Sequence, residues 1–216
     1  DYSNGGDMIV ARIEFKDMQS LKGKTIGCEV SSLGVFILQR ALAKAGMNLS
    51  DVKLVNIEQT YAEKSMQDKQ IDAVVTYPPV ATNLLKSGRY HKVFTSLEIP
   101  KEIVDIISIS QEALDNNPDF VSKLHDVWQM GLDYYRSNPE DSLQIMSTRE
   151  GVSPTDFKAA LTDLKLIDKK AQRQLFDDTS FLENNVKQVC GTLVHVEAIS
   201  TDCDLLPNIV YKSGDI

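Results

Sequence analysis

At 216 residues the chain is long enough to bury a substantial core, as one large domain or as two small lobes. Apolar residues make up 42% of it and charged residues 25%, which is the balance of a globular protein and not of a disordered or fibrous one. The net charge of −8, with lysines and arginines scattered among acids, argues against nucleic acid as a partner, because phosphate binding needs a concentrated basic surface.

In chain order, Asp1-Tyr2-Ser3-Asn4-Gly5-Gly6-Asp7 reads as a turn, and a strand-like run follows at 8–13. A short apolar strand at 25–30 then enters Ser31-Ser32-Leu33-Gly34 and a helix over 33–45. Val35, Leu38, Leu42 and Ala45 recur three or four apart, so one face of that helix packs on a sheet. The two serines sit beside the unpaired N–H groups and the positive dipole end of the helix. Such a turn either caps its own helix or holds the polar end of a small ligand. The residues leave both jobs open.

Further strands are predicted at 53–57, 71–76 and 92–95, with helices over 61–69 and 79–87. Thr60-x-x-Glu63 reads as a capping box, and Gly46 and Gly88 as helix stops. This alternation implies parallel βαβ units with right-handed crossovers. Ligands of such sheets lie at the carboxyl ends of the strands, where 31–34, 58–61 and 76–79 are expected to converge.

The apolar run 103–109 breaks the alternation, and the chain then turns helical. Asn117-Pro118, Asn138-Pro139 and Ser153-Pro154 each place a capping residue before a proline, predicting helices over 118–136, 139–148 and 154–164. Another helix is expected near 179–190, and 191–216 shows no clear period. Trp128 shares an apolar helical face with Leu124 and Leu132 and is expected in a core.

Catalytic and metal motifs are not evident. Gly23-Lys24-Thr25 imitates the end of a phosphate-binding loop, but position 18 is Met and a strand follows. His91, His125 and His195 stand far apart, and no G-x-S-x-G elbow supports a serine nucleophile. Cys28 reads as a small core residue, and the sequence leaves open whether Cys190 and Cys203 pair. No apolar run reaches the ~20 residues of a membrane span, so direct membrane insertion is not expected.

The runs SNGGDMIVA, LKGKTIGCEVSSLGVFILQRALAKAGMNLSDVKLV and IDAVVTYPPVATNLLKSG, in this order and spacing, resemble a bacterial solute-binding protein. The resemblance is to the group serving ABC importers of sulfonates, nitrate and thiamine-type pyrimidines. VDIISISQEALDNNPDFVSKL and the helices after it fit that group's return segment, so the likeness runs from Asp1 to about residue 182. It implies an α/β fold of the type 2 periplasmic-binding class, with a lobe of parallel βαβ units followed by a helical C-terminal part.

In that frame 1–19 is a first-lobe loop and hinge strand, 20–102 the second lobe, and 103–110 the return hinge. Residues 111–216 form a helical part packing on both lobes. Relatives carry a further βαβα portion of the first lobe ahead of the SNGGD loop. This chain lacks it, so the first lobe is expected to be incomplete: a fragment, or a departure from the family.

The resemblance implies non-catalytic binding of a small polar solute in an interlobe cleft, in a periplasmic or other extracytoplasmic setting. A membrane permease of an ABC importer would be the partner. No cofactor and no metal are implied. Carried over by position, the ligand contacts are Asn4 and Gly5 from the first lobe, Ser31, Ser32 and Leu33 from the second, and Thr60, Tyr61 and Tyr77 along the wall. Many relatives have an aromatic-Glu-Pro where this chain reads Tyr77-Pro78-Pro79, so the acid that would meet an amine is absent at 78.

Two alternatives share the fold: the outer domain of a signalling receptor, and an enzyme like the thiamine-pyrimidine synthases. The enzymes carry a compact cysteine-rich motif and active-site histidines, which the scattered cysteines here do not reproduce.

Overall fold

The computed structural model describes residues 1–177 and 179–205. Five strands form the central sheet: β2 (Met8–Arg12), β3 (Thr25–Cys28), β4 (Lys53–Asn56), β5 (Ala73–Thr76) and β6 (Tyr90–Thr95). β1 (Tyr2–Ser3) pairs with β7 (Leu164–Lys165) in a separate two-stranded ribbon. Helices α1 (Leu33–Lys44), α2 (Gln59–Gln67) and α3 (Val80–Lys86) connect the strands of the main sheet. The helical part comprises α4 (Gln111–Asn116), α5 (Phe120–Ser137), α6 (Pro139–Glu150), α7 (Pro154–Thr162), α8 (Lys169–Asp177) and α9 (Ser180–His195).

The order across the main sheet is β4-β3-β5-β2-β6. β3 runs parallel to both β4 and β5, as the alternation of strands and helices predicts. The sheet as a whole is mixed, however. β2 lies between β5 and β6 and is antiparallel to each. Its residues Met8, Ile9, Val10 and Ala11 are all buried, as a strand covered on both faces requires. The Arg12 guanidinium pairs with Asp72, whose other carboxylate oxygen accepts from Thr25 N at 2.9 Å, so one acid ties β2 to β3.

Strand alternation divides the core into two layers. Ile9, Ala11, Ile26, Cys28, Ala73 and Val75 face α1, where Val35, Phe36, Leu38 and Leu42 are fully buried. α9 covers the same layer, with Val189, Leu193 and Val196 packed on it. On the other face Met8, Val10 and Val74 meet Ala62 and Met66 of α2 and Ala81 and Leu84 of α3. The buried face expected for the first helix is therefore present, and wider than its four-residue stripe.

The Cys190–Cys203 pair that the sequence leaves open is a disulfide, closing a 13-residue separation at the end of α9. Residues 206–216, where the sequence shows no period, lie outside the described residues. Among the described residues, no helix is long and apolar enough to cross a membrane.

Several local expectations are corrected. Thr60-x-x-Glu63 does not form a capping box: α2 begins at Gln59, and Glu63 instead accepts from Asn83 Nδ2 at 2.8 Å. Pro118 does not open a helix, because α5 begins at Phe120, while α4 starts earlier on a Ser110 cap that accepts from Ala113 N. Pro139 and Pro154 do open α6 and α7. The Ser153 cap accepts from Asp156 N at 3.1 Å, whereas the Asn138 amide turns back to Tyr134 O.

The apolar run at 103–109 forms no regular strand. Residues 103–105 lie antiparallel to the first residues of the chain, through Ser3 N to Ile103 O at 3.0 Å, Asp105 N to Asp1 O at 3.1 Å and a bridge of Tyr2 with Val104. Ile106 and Ile107 are exposed.

Candidate functional site

The antiparallel insertion of β2 has a consequence for chemistry. Met8, its first residue, lies opposite Thr76 of β5 and Thr95 of β6. Asp7 is thereby delivered to the edge at which β3 and β5 end, beside the turns that enter α1 and α2. The loop before it is held by buried hydroxyls. Ser3 Oγ and Ser96 Oγ lie 2.8 Å apart, Gly5 N donates to Ser96 Oγ at 2.7 Å, and Asp7 N donates to Ser3 Oγ at 3.1 Å. Gly5 adopts φ +114°, a conformation that side-chain-bearing residues rarely tolerate.

A small pocket of about 30 Å³ opens at this edge. Asp7, Glu29 and Ser32 line it with Leu33, Gly34 and Ile37 from the start of α1. Gln59, Val75, Thr76 and Tyr77 complete it from α2 and the end of β5. A wider hollow of about 350 Å³ lies elsewhere, and among the described residues only those between Val194 and Thr201 build it.

Glu29 organises the pocket. Its Oε1 accepts from Gln59 N at 3.3 Å, at the first residue of α2, and its Oε2 lies 3.4 Å from Ser32 Oγ. The Ser32 hydroxyl also donates to Glu29 O at 3.3 Å and makes no cap bond to α1. Of the two jobs the sequence allows, capping α1 is thus not the one this side chain performs. Gly34 permits the close approach of α1, since a Cβ there would sit 3.1 Å from both Glu29 N and Glu29 O.

Gln59 is fixed in turn by β5: Thr76 Oγ1 donates to its Oε1 at 2.7 Å, and its Nε2 donates to Val75 O at 3.2 Å. The Tyr77 ring is 45% exposed at the mouth. Burial, and then the negative charges of Glu29 and Asp7, push its phenol above the ordinary range. Burial pushes the Asp7 carboxyl up; a hydrogen bond from Ser3 partly offsets this, and the charge of Asp105 adds to it. Among the described residues, no histidine, lysine or arginine lines the pocket.

Of the residues carried over by resemblance, Ser32, Leu33 and Tyr77 line the pocket. Ser31, Thr60 and Tyr61 are exposed near it in sequence but outside its lining, Tyr61 at 61%. Asn4 is also exposed; its N–H and that of Gly6 both donate to Asp163 O, at 2.7 and 3.2 Å. The three turns expected to converge do so through Ser32–Gly34, Gln59 and Thr76–Tyr77.

Asp7, Glu29 and Gln59 are lining residues that sequence reading did not single out. The signal for Glu29 and Gln59 was their place at a strand end and a helix start. Nothing local marks Asp7 as their neighbour.

Cys28 sits just behind the pocket, fully buried and unpaired. Burial, helped by the Glu29 charge, pushes its thiol up to about 12. It is no nucleophile at neutral pH.

Comparison with known proteins agrees with this architecture. A family model described as NMT1/THI5 like matches residues 6–142. A Brucella abortus protein, named as a binding protein with no ligand specified, is 30% identical over 146 residues, covering 64% of this chain. The matched region is 44% of that relative's length, so this chain corresponds to less than half of it.

Among solved structures, the periplasmic aliphatic sulphonate binding protein SsuA of Escherichia coli superimposes with a TM-score of 0.69 at 15% identity, over 97% of this chain and 68% of that one. The alkanesulfonate-binding protein SsuA of Xanthomonas axonopodis pv. citri, bound to MOPS, gives 0.71 at 14%, over 93% and 68%. The desulfurization enzyme DSZB gives 0.61 at 14%, over 95% and 75%. At such identities these likenesses establish the fold alone. The chain belongs to the NMT1/THI5-like family and has the α/β fold seen in periplasmic solute-binding proteins.

Proposed function

We propose that this chain binds a small polar solute, without catalysis, in the pocket at the carboxyl ends of β3 and β5. The observation that carries the reading is the convergence of three separate turns and the Asp7 loop on one pocket, lined by polar and apolar groups together, with an exposed aromatic at its mouth. Ser32, Leu33 and Tyr77 would form its floor and wall. Asn4, Ser31, Thr60 and Tyr61 would meet only the part of a ligand that extends beyond the pocket, while Gly5, buried with its N–H on Ser96, would shape the loop instead of touching the ligand.

The antiparallel contact between 1–3 and 103–105 supports a pair of crossing segments about which two lobes close. Closure would be stabilised by contacts made only in the closed state. The closed form would deliver its solute to the permease of an ABC importer. The disulfide supports an extracytoplasmic setting, since such bonds persist where the environment is oxidising.

Likeness to a desulfurization enzyme raises an enzymatic reading. Against it stands the pocket's own chemistry, which has no histidine in the lining and a buried thiol held protonated behind it.

A thermal-shift screen against thiamine pyrimidines, sulfonates, nitrate, amines and amino acids tests the reading. A ligand at 100 times its dissociation constant adds about 2.7 kcal/mol of stability. A shift that disappears in Tyr77→Ala supports the site; a flat response to every class overturns it.

A further inference from the structure

The charge of the pocket narrows the class of ligand it takes, given the solute-binding reading on which this step rests. We propose that the pocket seats a cationic group, a primary ammonium, between Asp7 and Glu29, with the Tyr77 ring over the remainder of the ligand.

Among the described residues, two carboxylates line the pocket and no basic side chain does. An anion such as a sulfonate would need donors, and two of those at hand are engaged with Glu29. Gln59 N donates to its Oε1, and the Ser32 hydroxyl turns to its backbone oxygen and its Oε2. A helix N-terminus attracts negative charge, and at α2 the protein supplies that charge itself: the Glu29 carboxylate accepts from Gln59 N, at the first residue of that helix.

The half-exposed Tyr77 ring offers a face for cation–π contact with the charged end or its neighbouring methylenes. The raised Asp7 carboxyl fits as well, because an adjacent cation relieves the cost of ionising a buried acid.

Sulfonate binding by the structural relatives does not carry over to this pocket.

Isothermal titration calorimetry of the chain with ethanolamine, putrescine and choline on one side, and ethanesulfonate and nitrate on the other, tests the proposal. Taurine, which carries both charges, is the bridging probe. The expected result is heat from at least one primary amine and none from the anions. Glu29→Gln keeps the shape of the side chain and an acceptor for Gln59 N, and should weaken the amine by about 10- to 100-fold. Asp7→Asn should weaken it in the same direction and serves if the first variant misfolds.

Tight binding of ethanesulfonate or nitrate, sensitive to Tyr77→Ala but not to Glu29→Gln, overturns the cationic class while leaving the solute site standing. Silence from every probe, amines included, overturns both. Choline binding as tightly as the primary amines overturns the primary-ammonium seat, because its nitrogen has no N–H to donate to the two carboxylates.

Discussion

The Thr76 hydroxyl donates to the Gln59 side-chain oxygen at 2.7 Å, and the same amide donates back to Val75 O at 3.2 Å. This clasp joins the first residue of α2 to the end of β5 beneath the pocket. Thr76 is 1% exposed, and if the amide is lost its hydroxyl is left with a long bond to Tyr77 O at 3.4 Å. Gln59→Ala should therefore cost about 1–3 kcal/mol, the penalty of an unpaired buried polar group. Urea unfolding measures it. Gln59→Ala combined with Thr76→Val should recover part of that loss, since both partners are then removed.

Gly34 and Gly131 make a matched pair. Both lie in helices, α1 and α5, where alanine is intrinsically favoured by about 1 kcal/mol. A Cβ at Gly34 would meet the backbone of Glu29 at 3.1 Å, whereas one at Gly131 would meet nothing within 4 Å. Backbone atoms of a strand end cannot swing aside as a side chain does. Gly131→Ala should raise stability by about 0.5–1 kcal/mol, and Gly34→Ala should lower it by about 1–2 kcal/mol despite the propensity gain. Unfolding midpoints of the two variants, measured together, check the opposite signs.

The Cys190–Cys203 disulfide fastens the end of α9, the helix that covers α1 and the first core layer. Closing a 13-residue separation restricts the unfolded chain by about 3 kcal/mol on the chain-entropy account. Reductant, or Cys190→Ser with Cys203→Ser, should lower the melting temperature, and the two losses should not add. Cys28 should stay silent to thiol reagents in the native protein, being fully buried with its thiol at about 12.

His125 gives a pH dependence of defined sign. It is buried on α5, with the Phe176 ring 6.3 Å away edge-on. Its pKa is lowered first by burial and then by the charges of Lys169 and Arg173, with Asp126 opposing them. The unfolded chain therefore takes up a proton near pH 6.5 that the folded chain resists. Stability is fully present above that value and falls as the pH drops through the lowered folded pKa. Urea midpoints between pH 5 and 7.5 should decline toward acid, and His125→Leu should flatten the part of the slope that this residue supplies.

Local pattern carried far in this protein. The apolar spacing of Val35, Leu38 and Leu42 marked the buried face of α1, and the alternation over 25–95 marked the three parallel strands β3, β4 and β5. Both are signals written within one turn or one strand. α8 escaped because Lys169–Asp177 is dominated by polar residues and has no fully buried face. The Thr60 capping box failed because Glu63 has a better partner in Asn83 on α3, which is adjacent only in space.

The sequence by itself determined the α/β class, the family likeness and the three turns that meet at the strand ends. Those depend on periodicity and on residue types close together in the chain. Only the tertiary structure decided that β2 enters the sheet between β5 and β6, and hence that Asp7 reaches the same pocket as Glu29, Gln59 and Tyr77. Strand pairing is chosen by burial on both faces across long sequence separations, and no local pattern in Met8–Arg12 names its partners. The charge of the pocket follows from that pairing.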